Sequence, residues 1–387
     1  MHRHLPTAVV AAALVAAATP GCSNETPAQA SQASSVSALR SSTAAPPTLT
    51  PQTSGTSKGL IAVSPVDSRV VWVSGRDGSY SVTTDGGNTW RAGVVAGAEA
   101  LQFRDVEGVS EKVAYLLSIG GGTDSRIYKT LNGGTTWSLQ FMNQDPDAFF
   151  DCFAFWTPTR GIAFSDSVNG HFPARRTTDG NSWRDIGHNL PPALPGESGF
   201  ASSGTCVATQ GENRAWIGTG GAAPFARILA TKDGGNRWEA HDTPLRGSPS
   251  AGIFSVEFRD ASHGVVGGGD LDPKAPPFKN FARSSDGGKT WSLTKANAQI
   301  GTVFGLAYAR ERGDDEEDDH SSQVGRSPPK VLVTGPGGAA WSPDEGDSWQ
   351  TLDGVSGFWA VAFANERTGW LVGTDGRILK ISFGNGD

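Results

Sequence analysis

Short runs of alternating polar and apolar residues recur along the chain and predict β-strands. SYSVTT, which ends at Thr84, and RILAT, which ends at Thr231, are two examples. Each run is followed by Asp or Asn with glycines and then by Trp, and glycine tolerates the positive φ that a tight hairpin requires. Six such hairpins are predicted, closing at Trp90, Trp137, Trp183, Trp238, Trp291 and Trp349.

The spacing of these tryptophans predicts a β-propeller. They lie 46 to 58 residues apart, which is typical of a four-stranded blade and too long for ankyrin or leucine-rich repeats. Two further strands precede each hairpin, for example ALQFRD and VAYLLSIGGG before Trp137. We therefore predict an all-β fold, a seven-bladed β-propeller of four-stranded antiparallel blades, as one domain over residues 58–387.

The seventh blade lacks a strand of its own. After Trp349 the chain continues through FWAVAFAN, GWLVGTDG and RILKISF without another Trp hairpin. An unclosed ring would leave exposed sheet edges, so we expect a strand from Thr48–Ser57 to complete this blade.

The polar residue of each hairpin has a repeated structural role. Asp and Asn side chains accept hydrogen bonds from the amides of their own turn. We therefore interpret these six residues as turn supports rather than catalytic acids: Asp85, Asn132, Asp179, Asp233, Asp286 and Asp344.

The pattern S/T-x-D-x-G-x-T-W resembles the Asp-box, or bacterial neuraminidase (BNR) repeat, over about residues 58 to 383. This repeat is shared by sialidases, some glucanases, sortilin-type receptors and photosystem II assembly factors. The resemblance implies the propeller fold and leaves the activity open, because such folds host unrelated functions.

The N-terminus is typical of an exported protein. Residues 1–21 have a basic start and a short apolar run, which predict a signal peptide. Gly21-Cys22 resembles a lipoprotein cleavage site and makes Cys22 a candidate lipid attachment point, whereas Ala28-Gln29-Ala30 is an alternative cleavage site for soluble export. Residues 22–57, rich in Ser, Ala, Thr and Pro, read as a tether. We expect a bacterial cell-envelope location, periplasmic or as an outer-membrane lipoprotein.

The other two cysteines occupy equivalent positions of adjacent blades. Cys152 and Cys206 fall where later blades carry Ser255, Gly305 and Ala360, all small. The pair is either a disulfide, as an oxidising compartment allows, or two small apolar residues in a crowded inner ring.

The charge distribution excludes a nucleic-acid partner. The net charge is −7, of which Asp314–Asp319 contribute −6, so no basic stripe is available to neutralise phosphates. The acidic run, within a loop at 313–329, reads as a solvated insertion rather than a calcium loop. We expect no cofactor and no metal, and a membrane partner only through the possible lipid anchor.

Candidate binding residues lie in loops expected at one end of the central channel, because blades three to five carry unusually long loops there. These candidates are Asp151, Asp166, His171, Arg175, Asp270, Lys279 and Trp359. Asp151, Asp166 and Asp270 are also candidate catalytic carboxylates.

Two functional hypotheses remain from the sequence. A sialidase requires an arginine cluster and a Tyr backed by Glu, but none of Tyr80, Tyr115, Tyr128 and Tyr308 has such neighbours in sequence; a two-carboxylate glycoside hydrolase stays possible. The favoured hypothesis is a monomeric, non-catalytic module that binds or assembles a protein or glycan at the propeller mouth.

Overall fold

The computed structural model describes residues 46–384, except 223, 277, 296–297, 299 and 311–328. The predicted signal peptide, Cys22, the alternative site at 28–30 and the acidic run Asp314–Asp319 therefore lie outside the described residues. A compact unit extends from Ala44 to Asp387. No helix in the described residues is long and apolar enough to cross a bilayer.

The described residues form seven four-stranded antiparallel sheets, which confirms the predicted propeller. Strand β1 spans Thr48–Thr53. Blade 1 contains β2 (Leu60–Pro65), β3 (Val71–Gly75), β4 (Ser79–Thr83) and β5 (Arg91–Val94). Blade 2 contains β6 (Gln102–Gly108), β7 (Ala114–Ile119), β8 (Arg126–Thr130) and β9 (Ser138–Met142). Blade 3 contains β10 (Phe150–Thr157), β11 (Arg160–Ser165), β12 (Ala174–Thr177) and β13 (Arg184–Asp185).

The remaining blades follow in chain order. Blade 4 contains β14 (Val207–Gln210), β15 (Arg214–Gly218), β16 (Phe225–Thr231) and β17 (Glu239–Arg246). Blade 5 contains β18 (Ala251–Phe258), β19 (Gly264–Asp270), β20 (Phe281–Ser284) and β21 (Ser292–Leu293). Blade 6 contains β22 (Gly305–Tyr308), β23 (Val331–Gly335), β24 (Gly338–Ser342) and β25 (Gln350–Thr351). Blade 7 contains β26 (Phe358–Phe363), β27 (Thr368–Gly373) and β28 (Arg377–Ser382), and is completed by β1.

The ring closes through β1, as the sequence predicted. β1 pairs antiparallel with β28 from Thr48↔Ser382 to Thr53↔Arg377. The Oε1 atom of Gln52 accepts hydrogen bonds from the indole N–H groups of Trp90 and Trp370 at 3.1 and 3.2 Å. One side chain thus ties the closing strand to blades 1 and 7.

The repeated turns contain hydrogen bonds to their polar side chains. In the first turn, Asp85 Oδ1 accepts from the Thr89 N–H at 2.9 Å, and Asp85 Oδ2 accepts from the Thr89 hydroxyl at 2.6 Å. The Thr83 hydroxyl oxygen accepts a hydrogen bond from the backbone N–H of Gly87, and Gly87 has a φ of +88°. These donors hold the pKa of Asp85 at about 2.

Aromatic side chains fill the space between neighbouring blades. Trp216 of blade 4 stacks on Phe258 of blade 5 with ring centroids 3.5 Å apart, and Trp291 packs edge-on against Phe258. The Trp216 indole N–H also donates to the Gly287 carbonyl in the repeated turn of blade 5. Buried aromatic contact is therefore what joins one blade to the next.

Cys152 and Cys206 form a disulfide between blades 3 and 4. Their Cα atoms are 6.0 Å apart and both residues are fully buried. The link joins the start of β10 to the residue immediately before β14, close to the propeller axis.

The innermost strands surround a central channel. We call the end at which these strands begin the mouth; the opposite end, which carries the repeated turns, is the turn end. A cavity of about 520 Å³ lies in the channel, and its lining runs from Ser203–Thr205 to Val66, Pro158 and Arg310 at the turn end.

Candidate functional site

A segment of the chain crosses the mouth. Residues Ser198–Thr205, called the strap here, belong to the connection between blades 3 and 4 and reach the innermost strands of several other blades. The Ala201 carbonyl accepts from Arg104 Nη1 of blade 2 at 2.7 Å. The Ser203 hydroxyl donates to the Phe304 carbonyl at the start of blade 6 at 2.6 Å. The strap therefore covers the channel at this end.

Both ends of the strap are fixed. Glu197, which precedes it, is 1% exposed and forms a bidentate salt bridge with Arg227 through both carboxylate oxygens. The Thr219 hydroxyl donates to the same carboxylate at 2.7 Å. Cys206, which follows the strap, is held by the disulfide. The strap is thus a short loop between two buried anchors.

Two carboxyl groups lie beneath the strap. Asp166 Oδ1 accepts from the Gly199 N–H at 2.9 Å, and the Asp151 carboxyl interacts with Asp166 and with the Ala201 N–H. Asp151 is 2% exposed, and its Oδ2 atom has no hydrogen-bond partner among the described residues. Burial raises the pKa of Asp166 to about 6, and burial together with the Asp166 charge raises that of Asp151 well above its usual value.

An arc of aromatic rings follows the mouth from the strap to blade 7. Phe200 of the strap contacts Phe254 with centroids 4.4 Å apart, and Phe254 lies 5.9 Å from Phe304. Phe304 in turn lies 5.1 Å from Trp359. The Arg104 guanidinium sits 5.3 Å above the Trp359 ring, and its burial lowers its pKa to about 10.

The structure thus places three of the predicted residues, Asp151, Asp166 and Trp359, around the strap. Asp270 is at the end of β19, where its Oδ1 atom accepts from the Ser250 hydroxyl at 2.6 Å and from the Asp272 N–H. It supports the loop of blade 5, and its hydrogen bonds involve neither carboxyl group of the pair.

The other predicted residues have local partners. His171 is exposed at the tip of a turn that contains Asn169 and Gly170, both with positive φ. Arg175 lies on β12, pairs with Asp185 of β13 and stacks over Phe141. Lys279 is exposed and donates to the Lys295 carbonyl at 3.1 Å.

One arrangement was missed because its members are distant in sequence. Glu345 Oε1 accepts from the Tyr308 hydroxyl at 2.9 Å and from Arg259 Nε at 2.7 Å. These are the residue types of a sialidase nucleophile, but Tyr308 is 1% exposed, and burial with the Glu345 charge raises its pKa well above 10. Tyr80 and Tyr115 instead donate to carbonyls in the repeated turns of the next blades.

Metal-binding geometry is absent from the part of the chain that the structure describes, where no group of three or more His, Cys, Asp or Glu side chains converges.

Sequence reasoning also missed Arg104, Phe200, Phe254 and Phe304. Arg104 reads as an ordinary polar position in the strand QFRD, and each Phe reads as core. A usable signal was the length of the connection between β13 and β14, which is far longer than its equivalents and includes the strap.

No protein-family profile and no curated protein matches the chain. Solved structures with a similar fold include YCF48 bound to D1 peptide, with 17% identity, a TM-score of 0.59, and coverage of 88% of this chain and 96% of that one. YCF48 from Cyanidioschyzon merolae gives 17% identity and a TM-score of 0.56 over 86% of this chain and 98% of that one. The RRP9 WD40 repeats give 11% identity and a TM-score of 0.58, with coverage of 88% of this chain and 99% of that one. These similarities show the fold.

Proposed function

We propose that this propeller is a non-catalytic binding module that holds a protein partner, through a linear peptide segment, at its mouth. The observation that carries the proposal is the strap itself. A segment of the chain already lies across the mouth, bonded through its backbone to Asp166 and Arg104. Trp and Arg, here Trp359 and Arg104, are the residue types that dominate binding energy at protein interfaces. A structure of YCF48, which has the same fold, carries a bound D1 peptide.

The same geometry disfavours a glycoside hydrolase at this site. Such enzymes hold two carboxyl groups roughly 5–10 Å apart, one on each side of the bond to be cleaved. Asp151 and Asp166 interact directly with each other, and the strap covers them. Asp270 has its own partners in blade 5. A glycosidic bond therefore cannot be accommodated between these carboxylates.

The binding site can be tested with a phage-displayed library of random linear peptides selected on the full chain. We expect enriched peptides that bind the wild-type protein and bind Trp359→Ala at least about tenfold more weakly, because a central aromatic anchor is lost. Trp156→Ala is the matched control, since Trp156 is a half-buried Trp beside Arg160 that lines the turn end. Enriched peptides that bind Trp359→Ala as tightly as wild type would contradict the proposal. So would binding of glycans on an array when no peptide is enriched.

The proposal includes export to the bacterial envelope and attachment through Cys22, with cleavage after Ala30 as the soluble alternative. The support is the sequence of residues 1–30. Labelled palmitate should be incorporated into the wild-type protein and not into Cys22→Ser. A wild-type protein that stays unlabelled would contradict lipid attachment at Cys22.

A further inference from the structure

Three consecutive residues in the middle of the strap contact the mouth, and each contact uses a different chemical group. The Gly199 N–H donates to Asp166, the Phe200 ring packs on Phe254, and the Ala201 carbonyl accepts from Arg104. Two of these groups belong to the backbone, so any peptide can supply them. The third requires an aromatic side chain.

The position of Gly199 is restricted by the carboxyl group beneath it. A Cβ atom at this residue would lie 2.6 Å from Asp151 Oδ2 and 3.1 Å from the Phe164 ring. Both neighbours are buried, and Phe164 is fully enclosed. A peptide that follows the path of the strap must therefore have glycine immediately before its aromatic residue.

The strap differs from the rest of the mouth in how it is held. Its middle, Gly199–Ser203, is held by single hydrogen bonds to blades 2, 3 and 6. Its ends are held more firmly, by two backbone hydrogen bonds between Ser198 and Gly220 and by one from the Val256 N–H to the Thr205 carbonyl. Beyond these ends lie the Glu197–Arg227 salt bridge and the disulfide. Displacement of the middle would break none of the contacts at the ends. The N–H groups of Gly199 and Ala201, which face Asp166 and Asp151 in the free protein, would then be replaced by those of the incoming peptide.

We propose that the strap occupies the partner's place in the free protein, and that the partner is a linear peptide segment with glycine followed by an aromatic residue, which displaces Gly199–Ala201. This inference rests on the proposed function. The strap competes with the partner as an intramolecular ligand, and a tethered competitor acts at an effective concentration of roughly millimolar. Weakening the strap should therefore strengthen binding of a peptide in trans.

The test uses a fluorescein-labelled synthetic peptide with the sequence of residues 197–204, ESGFASSG, titrated into the full chain. Phe200→Ala removes the aromatic contact of the strap, and we expect this variant to bind the peptide at least about tenfold more tightly than wild type. Leu194→Ala is the control, because Leu194 is 39% exposed in the same connection but outside the strap. A peptide with Ala in place of the glycine that corresponds to Gly199, ESAFASSG, should not bind.

Hydrogen exchange supplies the second readout. Saturating peptide should raise exchange at the strap amides of Gly199 and Ala201, since the strap is displaced. Equal affinity for wild type and Phe200→Ala, no binding to either, or unchanged strap protection in the complex would overturn the inference. Library-selected peptides that need Trp359 but leave strap protection unchanged would uphold the proposed function and overturn only the displacement.

Discussion

Asp151 and Asp166 are the residues whose chemistry depends most on the fold around them. Both are carboxylic acids placed side by side under the strap, where burial penalises the charged form. In the first repeated turn the Asp85 side chain is half-buried and surrounded by donors, so its pKa falls to about 2. One residue type thus performs two roles, and the environment decides between them.

The raised pKa of Asp166 predicts a pH-dependent stability. Because the folded-state pKa is about 6 against 3.8 for the ordinary group, the folded protein binds the proton more tightly than the unfolded chain. The contribution of Asp166 to the free energy of unfolding is fully present below about pH 4. It is lost as the pH rises through about 6, which lowers the free energy of unfolding by about 1–3 kcal/mol.

Urea unfolding at about pH 4.5 and about pH 7.5 measures this difference. Wild type should lose more stability over this range than Asp166→Asn, which cannot ionise. If Asp166→Asn loses as much stability as wild type between these two pH values, the pH dependence does not come from Asp166.

The roles of single residues were only partly predictable. A turn-supporting role for Asp85 could be predicted because the residue type repeats in other blades and its hydrogen bonds lie within its own turn. Arg104 could not, since its partners Ala201 and Trp359 are brought to it only when the ring closes.

At the scale of elements, the repeated turn and its Trp form the unit of stability. Trp291 is 9% exposed, packs edge-on against Phe258 of the same blade, and donates its indole N–H to the Gly288 carbonyl at 2.9 Å. Phe258 in turn stacks on Trp216 of the preceding blade. Removing the Trp291 ring should therefore weaken the contact between two blades.

We expect Trp291→Ala to lower the free energy of unfolding by about 3–5 kcal/mol, which combines lost burial with the cavity left behind. Leu293→Ala, two residues further along in the outer strand β21 but 40% exposed, should change this free energy by less than about 0.5 kcal/mol. Denaturant titration of both variants measures the difference. Similar losses in the two would show that the turn Trp has no special role.

The strands were predictable because alternation and turn chemistry are local properties of the chain. The strap was not predictable, because its Gly, Ala and Ser residues have no alternation and read as a loop. Its path across the mouth depends on partners from blades 2, 3, 5 and 6, which are distant in sequence.

At the scale of the whole molecule, closure depends on one strand from the N-terminal side. β1 covers the edge of β28 over six paired positions. An uncovered edge presents unpaired N–H and C=O groups to other chains. The closing strand therefore stabilises the ring and prevents association through the edge of β28.

Deleting residues 48–53 should lower the melting temperature and cause concentration-dependent association, because β28 becomes an edge. Thr50→Ala, an exposed position of the same strand, is the control and should remain like wild type. Thermal melting with light scattering records both effects. A deletion variant that melts like wild type without association would show that the ring does not need this strand.

The central claim is that the mouth, and not the turn end, binds the partner. Hydrogen–deuterium exchange of the full chain with and without a library-enriched peptide tests it most directly. We predict altered exchange at the start of β6, β10 and β26 and in the strap, with the repeated turns unchanged. Altered exchange confined to the turns around Asp85 and Asp286, or no change at the mouth, would contradict the account.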